Sequence, residues 1–586
     1  MPDSVLQATP FEQAAGAVQD WLDGPGAAIV ARVQHPDRSR HFASWQMDLP
    51  HPVVGSQRVT LSLLRDFPAS PPQIHLDARL CLTWPHVEES GRFCHGVEPE
   101  AGDYINPVQI VQSVLERLQD FWANTEKLAW ISAEFQEESL SYWLRFCRLF
   151  QRYHGRLSPI ETRVHYLSIQ GVTEGQVASY FKESKQRPRC QMLVATLGKE
   201  EPNSLAHRHH WASGNLVRGD ALFVPLSESA PWGPTDWPQT FETLCDLVAS
   251  VSGDPQTVPS WIEDKAKEGK RRSSLLVILV QRNVCYGYQI TVPVVPRLTA
   301  PQVTPISLDR VDPDWALARD QQLTSLHNRR QQRVLVLGCG SLGAPLAELL
   351  ARAGIGELHL VDMELLEASN CSRHVLGADA IGQGKADALA KRLRLSVPGL
   401  SVTGLPATAA AYVSGKCKPG DYDLILDCTG EAAVRSMLAR YRAVALGGCP
   451  VVHAWMEPFC SAAHVVLVGH DHEWPVYDPA DKVNVGQWMS NTRIKLPACG
   501  SGFHPYGAAD AWQSAGFAAQ RVLAVLDNKA TPSTIWSWIR SKGFFDSLGV
   551  QVKVGPLVPN STNPLDSIQV SRNFEDVLGE KVSIVL

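Results

Sequence analysis

An apolar strand, Arg333–Leu337, runs directly into Gly338-Cys339-Gly340-Ser341-Leu342-Gly343 and then into an alanine- and leucine-rich stretch, residues 344–353, that reads as a helix. This junction limits the fold more than any other feature of the chain. Glycines at those spacings let the backbone turn tightly and bring a phosphate against the positive end of the following helix. A second strand, ELHLV, ends at Asp362, 24 residues after Gly338, where a carboxylate can accept hydrogen bonds from ribose hydroxyls. DLILD and PVVHA follow as further strands with a helix between them, so the pattern predicts a parallel, doubly wound sheet that binds a nucleotide. On these residues alone the nucleotide is open, since a NAD- or flavin-binding dehydrogenase uses the same junction.

At 586 residues the chain is too long for one core and predicts three or four units. Residues 11–23 read as an amphipathic helix. AAIVARV, HFASWQM and RVTLSLL read as an antiparallel meander, and FPASPPQIHL as a proline-rich exit. A helix restarts at Asn106-Pro107 and places Val111, Val114, Leu115, Leu118 and Trp122 on one face. These elements give an α+β domain over residues 1–155. Residues 156–300 give a mixed α/β domain, with CQMLVATL, ALFVPL, LLVILVQ and YGYQITV as strands and GQVASYFKESK and ETLCDLVASV as helices. His207, His209 and His210 have no partner ligand at a metal spacing and read as a solvated loop. The proline-bearing stretch VPVVPRLTAPQVTPISLDRVDP predicts a linker over 301–328, and the doubly wound domain fills 329–586.

A net charge of −6 argues against a general binder of nucleic acid or anionic membrane. No run of eighteen apolar residues is present, and MPDSVLQATPFEQ lacks the basic start and apolar stretch of a secretory signal, so a cytoplasmic location is expected. The thirteen cysteines include no C-x-x-C pair, which leaves a cysteine-only zinc site without support.

Past Asp362 the sequence reads VDMELLEASNCSRHVLGADAIGQGKADALA, with Asn370, Arg373 and Lys385 in it. This resembles the ATP-binding region of the ubiquitin-activating and ThiF/MoeB adenylating family: an acidic residue, S-N-x-x-R, then G-x-x-K-A. The resemblance implies ATP as the nucleotide, bound by Gly338, Gly340, Gly343, Asp362, Asn370, Arg373, Lys385 and Asp427. Arg373 would fork onto a triphosphate oxygen and Lys385 would add a point charge. Both would neutralise charge as a carboxylate attacks the α-phosphate and pyrophosphate leaves. DLILDCTGEAAVR resembles the family's D-x-T-D-N-x-x-x-R segment, whose last aspartate helps hold Mg2+. Gly430 stands at that position, which leaves Asp427 or Glu431 to supply the metal ligand. In the same family a downstream cysteine takes the activated carboxyl from AMP, and Cys499, in the loop sequence LPACGSGFHPYG, is the candidate here.

Near the N-terminus, Pro71-Pro72, Trp84-Pro85-His86 and Gly91-Arg92-Phe93-Cys94 resemble the active-site region of a ubiquitin-conjugating enzyme. Cys94 would be the transfer cysteine. His86 stands where that family has an asparagine, and it could donate to an oxyanion, orient the thiol or have no role. A conjugating-type domain followed by an activating-type domain resembles the fusion proteins of bacterial CBASS anti-phage operons. That resemblance implies a protein substrate with a free C-terminal tail, a cGAS/DncV-like nucleotidyltransferase, an acceptor protein amine, and a homodimer. Two other classes stay open: a sulfur-carrier or peptide-modifying adenylyltransferase, and a non-catalytic scaffold with degenerate domains.

Overall fold

The computed structural model describes residues 9–24, 29–33, 41–52, 54–156, 158–166, 168–182, 189–268, 274–293, 300–317, 323–397, 399–489, 494, 504–528 and 531–579. The chain divides into two compact units, Met1–Arg310 and Val311–Leu586.

The first unit begins with α1 (Pro10–Asp23), β1 (Ile29–Val33), β2 (His41–His51), β3 (Gly55–Leu64), β4 (Gln73–His75) and α2 (Pro107–Asn124). Alternation sets the meander's register: Trp45 faces Leu61 and Met47 faces Val59 across β2 and β3, and all four side chains point into the core. Helix α1 starts at Thr9, which exchanges hydrogen bonds with Glu12 in a capping box. Helix α2 starts with Pro107 at its first position, as the sequence predicts. Val18 and Leu22 of α1 and Val111, Val114, Leu118 and Trp122 of α2 close the same core.

Next come α3 (Leu128–Glu137), α4 (Ser139–His154), β5 (Glu161–His165), β6 (Thr173–Lys182), β7 (Arg189–Thr196), α5 (Pro202–Arg208), β8 (Asn215–Pro225), α6 (Phe241–Ser252), α7 (Thr257–Lys267), β9 (Ser274–Gln281), β10 (Val284–Thr291), β11 (Gln302–Ser307) and β12 (Asp309–Arg310). The strands form one mixed sheet in the order β11-β10-β9-β8-β6-β7-β5-β12. Helix α4 buries Tyr142, Trp143 and Phe146 against this sheet, among Trp237, Val277, Tyr286 and Tyr288, so residues 139–154 pack with the sheet that follows them.

Two sequence expectations fail in this unit. GQVASYFKESK, read as a helix, supplies most of β6, which pairs antiparallel with both β7 and β8. Pairing on both edges outweighs local helix propensity, and β-carbon space at Gly175 is taken by the Thr196 carbonyl and the Phe223 ring. Residues 302–307, read as linker, form β11, which pairs along its length with β10 and buries Val303 and Ile306. Pro305 prompts the linker reading, but β11 is an edge strand, where a missing N–H costs no ladder bond.

The second unit contains α8 (Pro313–Ala316), α9 (Leu323–Arg329), β13 (Arg333–Leu337), α10 (Gly343–Arg352), β14 (Glu357–Val361), α11 (Lys385–Ser396), β15 (Ser401–Leu405), α12 (Ala409–Lys416), β16 (Leu424–Asp427), α13 (Ala432–Ala445), β17 (Val451–Met456), β18 (Ala462–Val468), α14 (Ala480–Val483), β19 (Gly486–Trp488), α15 (Ala508–Asp527), β20 (Thr534–Arg540), α16 (Lys542–Ser547), β21 (Val552–Val554), β22 (Ser567–Asn573) and α17 (Phe574–Leu578). The main sheet runs β15-β14-β13-β16-β17-β18-β20-β22, parallel through β17 and antiparallel beyond it. Both faces are covered. Val334 and Val336 of β13 meet Leu346, Leu389 and Ala519 on one side, while Leu335 and Leu337 meet Val413 and Leu438 on the other. The chain steps outward from β13 through β14 to β15, then returns to β16 on β13's other edge. That reversal opens a crevice at the carboxyl ends of β13 and β16, where doubly wound sheets bind ligands. No helix among the described residues is long and apolar enough to cross a membrane.

Candidate functional site

The glycine loop leaves β13 at this crevice. Gly338 sits at φ +86, and a β-carbon there would lie 3.0 Å from the Thr429 nitrogen of the loop after β16. At Gly343 a β-carbon would fall 2.0 Å from the Gly338 carbonyl oxygen, so glycine is required for the loop to close onto α10. Gly340 differs, because no protein atom lies within 4 Å of the corresponding β-carbon position. Two of the three glycines therefore close the loop, and the third leaves open space in front of a helix N-terminus, where an anion is favoured.

Neighbouring side chains hold the loop in place. Asp362 accepts from the Cys339 N–H at 2.7 Å through Oδ2 and from the Glu364 N–H at 2.8 Å through Oδ1. His374, not singled out in the sequence, lies behind the loop. Its Nε2–H donates to the Cys339 carbonyl at 2.6 Å, and its Nδ1 accepts from the Leu376 N–H at 3.0 Å. Burial is the main cause that lowers the pKa of His374, in keeping with the neutral tautomer these bonds require. Cys339 is fully buried, and burial drives its thiol well above the ordinary range, so it is a packing residue.

Lys385, the first residue of α11, is 7% exposed and its Nζ meets Glu364 Oε2 at 2.5 Å. The backbone repeats this link, with Lys385 N–H on the Glu364 carbonyl at 2.9 Å. Asp362, Glu364 and Lys385 thus form a continuous chain from the glycine loop to a nearly buried cation. Asn370 closes a short turn instead, its Oδ1 accepting from the Glu367 N–H at 3.0 Å. The Arg373 guanidinium lies over the ring of Tyr506, 5.1 Å from the centroid. The Tyr506 hydroxyl is 2.5 Å from Ser341 Oγ in the glycine loop. Tyr506 was not singled out in the sequence. Its link to residues 165 and 133 positions earlier carries no local signal.

Asp427 does not stand at the crevice as a free ligand. It is 1% exposed, with Oδ1 held by the Thr429 N–H at 3.0 Å and hydroxyl at 2.7 Å, and Oδ2 2.8 Å from His453 Nδ1. Burial alone would raise its pKa, but the His453 and Thr429 contacts outweigh it and hold the carboxyl below its ordinary value. The carboxylate is committed to the protein interior, so the expected roles of Asp427 in holding magnesium and nucleotide do not fit this geometry, and no step is routed through a metal there. Gly430, where the resemblance expects an aspartate, has φ +71, a conformation that favours glycine. Glu431 remains exposed. No cluster of three or more metal-ligating side chains occurs among the described residues. Cys499 lies outside the described residues.

In the first unit, the 84–94 loop brings two predicted residues together. The Cys94 N–H donates to the His86 carbonyl at 2.7 Å, and Val87 bridges Phe93. Gly91 makes this possible: at φ +83 a β-carbon would lie 2.3 Å from the Leu76 carbonyl oxygen. His86 sits at φ +58, and its N–H donates to the Tyr142 hydroxyl at 2.8 Å. Its Nε2 lies 2.9 Å from Glu134 Oε2. An ionised carboxylate only accepts, so the Nε2 proton is committed to Glu134 and leaves Nδ1 as the other polar atom of the ring. Cys94 is exposed beside a cleft of about 290 Å³ lined by Ser70, Pro71, Pro72, Gln73 and Arg92. Partial burial pushes its thiol up, and Glu138 and Glu88 add to this against Arg145 and Arg92. Cys81, in the same segment of chain, is half-buried and also raised by burial.

The crevice, glycine loop and nearby cations define a nucleotide-binding, doubly wound domain. Residues 315–535 match the ThiF family, and the second unit carries a ThiF domain. Over 251 residues the chain is 26% identical to the ATP-dependent ubiquitin transferase-like protein Cap2 of Pseudomonas aeruginosa, covering 40% of this chain and 44% of that protein. Over 245 residues it is 30% identical to a protein of the same name from Escherichia coli, covering 39% and 40% respectively. It is also 42% identical over 127 residues to the adenylyltransferase and sulfurtransferase MOCS3 of Bos taurus, covering 21% of this chain and 26% of that protein. The chain thus spans less than half the length of these relatives.

Proposed function

We propose that the second unit uses ATP to activate a C-terminal carboxylate of a protein. A carboxylate oxygen attacks the α-phosphorus, the bond to pyrophosphate breaks, and an acyl-adenylate forms. Arg373 and Lys385 bind the polyphosphate and offset its charge, Gly340 gives the phosphates room to approach, and Asp362 accepts from ribose hydroxyls. The observation that carries this reading is the pair of cations held beside the glycine loop, Lys385 by Glu364 and Arg373 by Tyr506. Hydride transfer has no need of them. Magnesium would accompany the triphosphate, with Asp427 excluded as its ligand.

The proposal continues through two thioesters. The Cys499 thiolate attacks the acyl carbon and AMP leaves. The Cys94 thiolate takes the acyl group from Cys499. A target amine then displaces Cys94, giving an amide and a free thiol. Residues 1–155 would be the ubiquitin-conjugating-like module, 156–300 a connecting domain and 329–586 the adenylation module of a cytoplasmic homodimer. The names of the Cap2 relatives support a ubiquitin-like transferase. The CBASS resemblance supports a cGAS/DncV-like nucleotidyltransferase as the modified protein. The test is to incubate the full chain with ATP and that candidate and resolve the products without reductant. Thiol-sensitive adducts lost in Cys499→Ala, and stalled before the target in Cys94→Ala, bear the sequence out. No pyrophosphate exchange into ATP overturns it. The 42% identity to an adenylyltransferase and sulfurtransferase favours a second reading in which Cys94 is dispensable. Adduct formation and product unchanged in Cys94→Ala would select it.

A further inference from the structure

We propose that Glu364 is a positioning residue of the nucleotide site: it holds the Lys385 ammonium as a counter-ion and yields it to the triphosphate. The inference rests on the adenylation reading above and adds to it how Lys385 is exchanged between two anions.

Local structure places Lys385 where a cation is disfavoured. It is the first residue of α11, at the positive end of a 12-residue helix, and Gly384 before it offers no side-chain cap. The lysine side chain is 7% exposed. A cation so placed carries a desolvation cost that a counter-ion must offset. Glu364 is that counter-ion, with Oε2 2.5 Å from Nζ. The backbone delivers it. Lys385 N–H donates to the Glu364 carbonyl at 2.9 Å, Leu366 N–H donates to the Gln383 carbonyl at 2.8 Å, and Leu365 bridges Gly384. Residues 364–366 and 383–385 thus run antiparallel as a short clamp.

The two ends of the pair differ. The Glu364 side chain is 68% exposed, so it can swing into water at little cost in solvation, while the nearly buried lysine stays where the clamp puts it. The pair also stands against the glycine loop. Asp362 accepts from the Glu364 N–H and from the Cys339 N–H. The Lys385 charge adds to burial in lowering the pKa of His374, whose ring bonds the Cys339 carbonyl. A triphosphate over Gly340 therefore competes with Glu364 for one ammonium, and a carboxylate left beside a bound phosphate is repelled by it. Binding ATP replaces one anion on Lys385 by another, so the strength of the Glu364 contact opposes ATP affinity. The same contact assists release, because Glu364 recovers the ammonium as pyrophosphate departs.

The test is a double-mutant cycle on the full chain, read as ATP and adenosine dissociation constants by calorimetry in magnesium buffer. Lys385→Met is expected to weaken ATP about ten- to a hundredfold, the loss of a charge-assisted hydrogen bond. Glu364→Gln is expected to tighten ATP about two- to fivefold, the worth of an ion pair with one exposed partner. It should leave adenosine unchanged, because adenosine brings no anion to Lys385. In the Lys385→Met background Glu364→Gln should alter ATP affinity by less than about 1.5-fold, since its effect passes through the lysine. Thermal unfolding supplies a readout that a purely structural ion pair would not move. Without nucleotide, Glu364→Gln should unfold about 1–4 °C below the unchanged chain. At saturating ATP the two should coincide within about 1 °C, since phosphate has then replaced the carboxylate on Lys385. Glu364→Ala removes the side chain and keeps the backbone clamp, so the same tightening should appear there even where the glutamine variant does not fold. ATP affinity unaltered or weakened in these variants, or a gap in unfolding temperature that ATP does not close, would make Glu364 a fixed structural partner and would overturn the proposal. An unchanged chain that fails to bind ATP, or a Lys385→Met variant with unaltered affinity, would overturn the adenylation reading and this proposal together.

Discussion

Around the glycine loop the side chains proposed to act are cations in contact with neighbours: Lys385 with Glu364, and Arg373 with the Tyr506 ring. Around Cys94 the balance is reversed. Burial and the carboxylates of Glu138 and Glu88 raise the thiol against Arg145 and Arg92. The first site is the one proposed to receive a polyanion. The second shifts its thiol upward, which disfavours the thiolate that acts as nucleophile. The difference teaches a division of labour. In the proposed sequence, activation energy enters where ATP binds, and Cys94 accepts an acyl unit already activated elsewhere.

The sharpest break in this comparison is removal of a cation. Arg373→Ala or Lys385→Ala should cost pyrophosphate exchange into ATP about 10²- to 10³-fold, the usual loss when one preorganised charge-stabilising donor is removed. Cys94→Ala should leave that exchange unchanged. Asp427→Ala should act on stability instead. Stripping one partner from a buried pair costs about 3–5 kcal/mol, measured by denaturant unfolding of the full chain. The sign with pH follows from the direction of the shift. The folded carboxyl lies below its ordinary value, so its contribution is present above about pH 4 and is lost as pH falls through the folded pKa. Acid unfolding should therefore shift to lower pH in the unchanged chain than in the variant.

Two glycine substitutions sharpen the glycine-loop side. Gly343→Ala drives a β-carbon into the Gly338 carbonyl and should cost about 1–3 kcal/mol of stability. Gly340→Ala meets no protein atom and should leave stability within about 0.5 kcal/mol, while weakening ATP at least about threefold where the phosphate approaches. The smallest effect belongs to Cys94. Its alkylation by iodoacetamide should be slow at pH 7 and rise through pH 9 and beyond, because only the thiolate reacts. Glu138→Gln removes a charge that opposes the thiolate and should raise the pH 8 rate about two- to threefold.

How much of this was legible in the sequence depended on whether a signal was local. The strand before the glycine loop and Asp362 at the end of the next strand could be placed because strand, turn and helix adjoin in the chain. Sequence β6 could not, because its strand state comes from partners on both edges rather than from its own residues. Pro305 misled for a related reason: a proline marks a linker or an edge strand, and only the pairing distinguishes them. At the candidate site, Asp427 looked available because sequence shows a carboxylate but not the His453 and Thr429 contacts that occupy it. Tyr506, His374 and Glu134 were passed over because each acts across a distance in the chain that no motif spans.

The central claim is that the crevice beside β13 and β16 binds a triphosphate for attack at its innermost phosphorus. A structure of the full chain determined with ATP tests it most directly. The account predicts the polyphosphate over Gly340, the Arg373 guanidinium and Lys385 ammonium within hydrogen-bond reach of its oxygens, and the ribose at Asp362. Both cations turned away from the phosphates, or ATP displaced by an equal concentration of NAD, would contradict it.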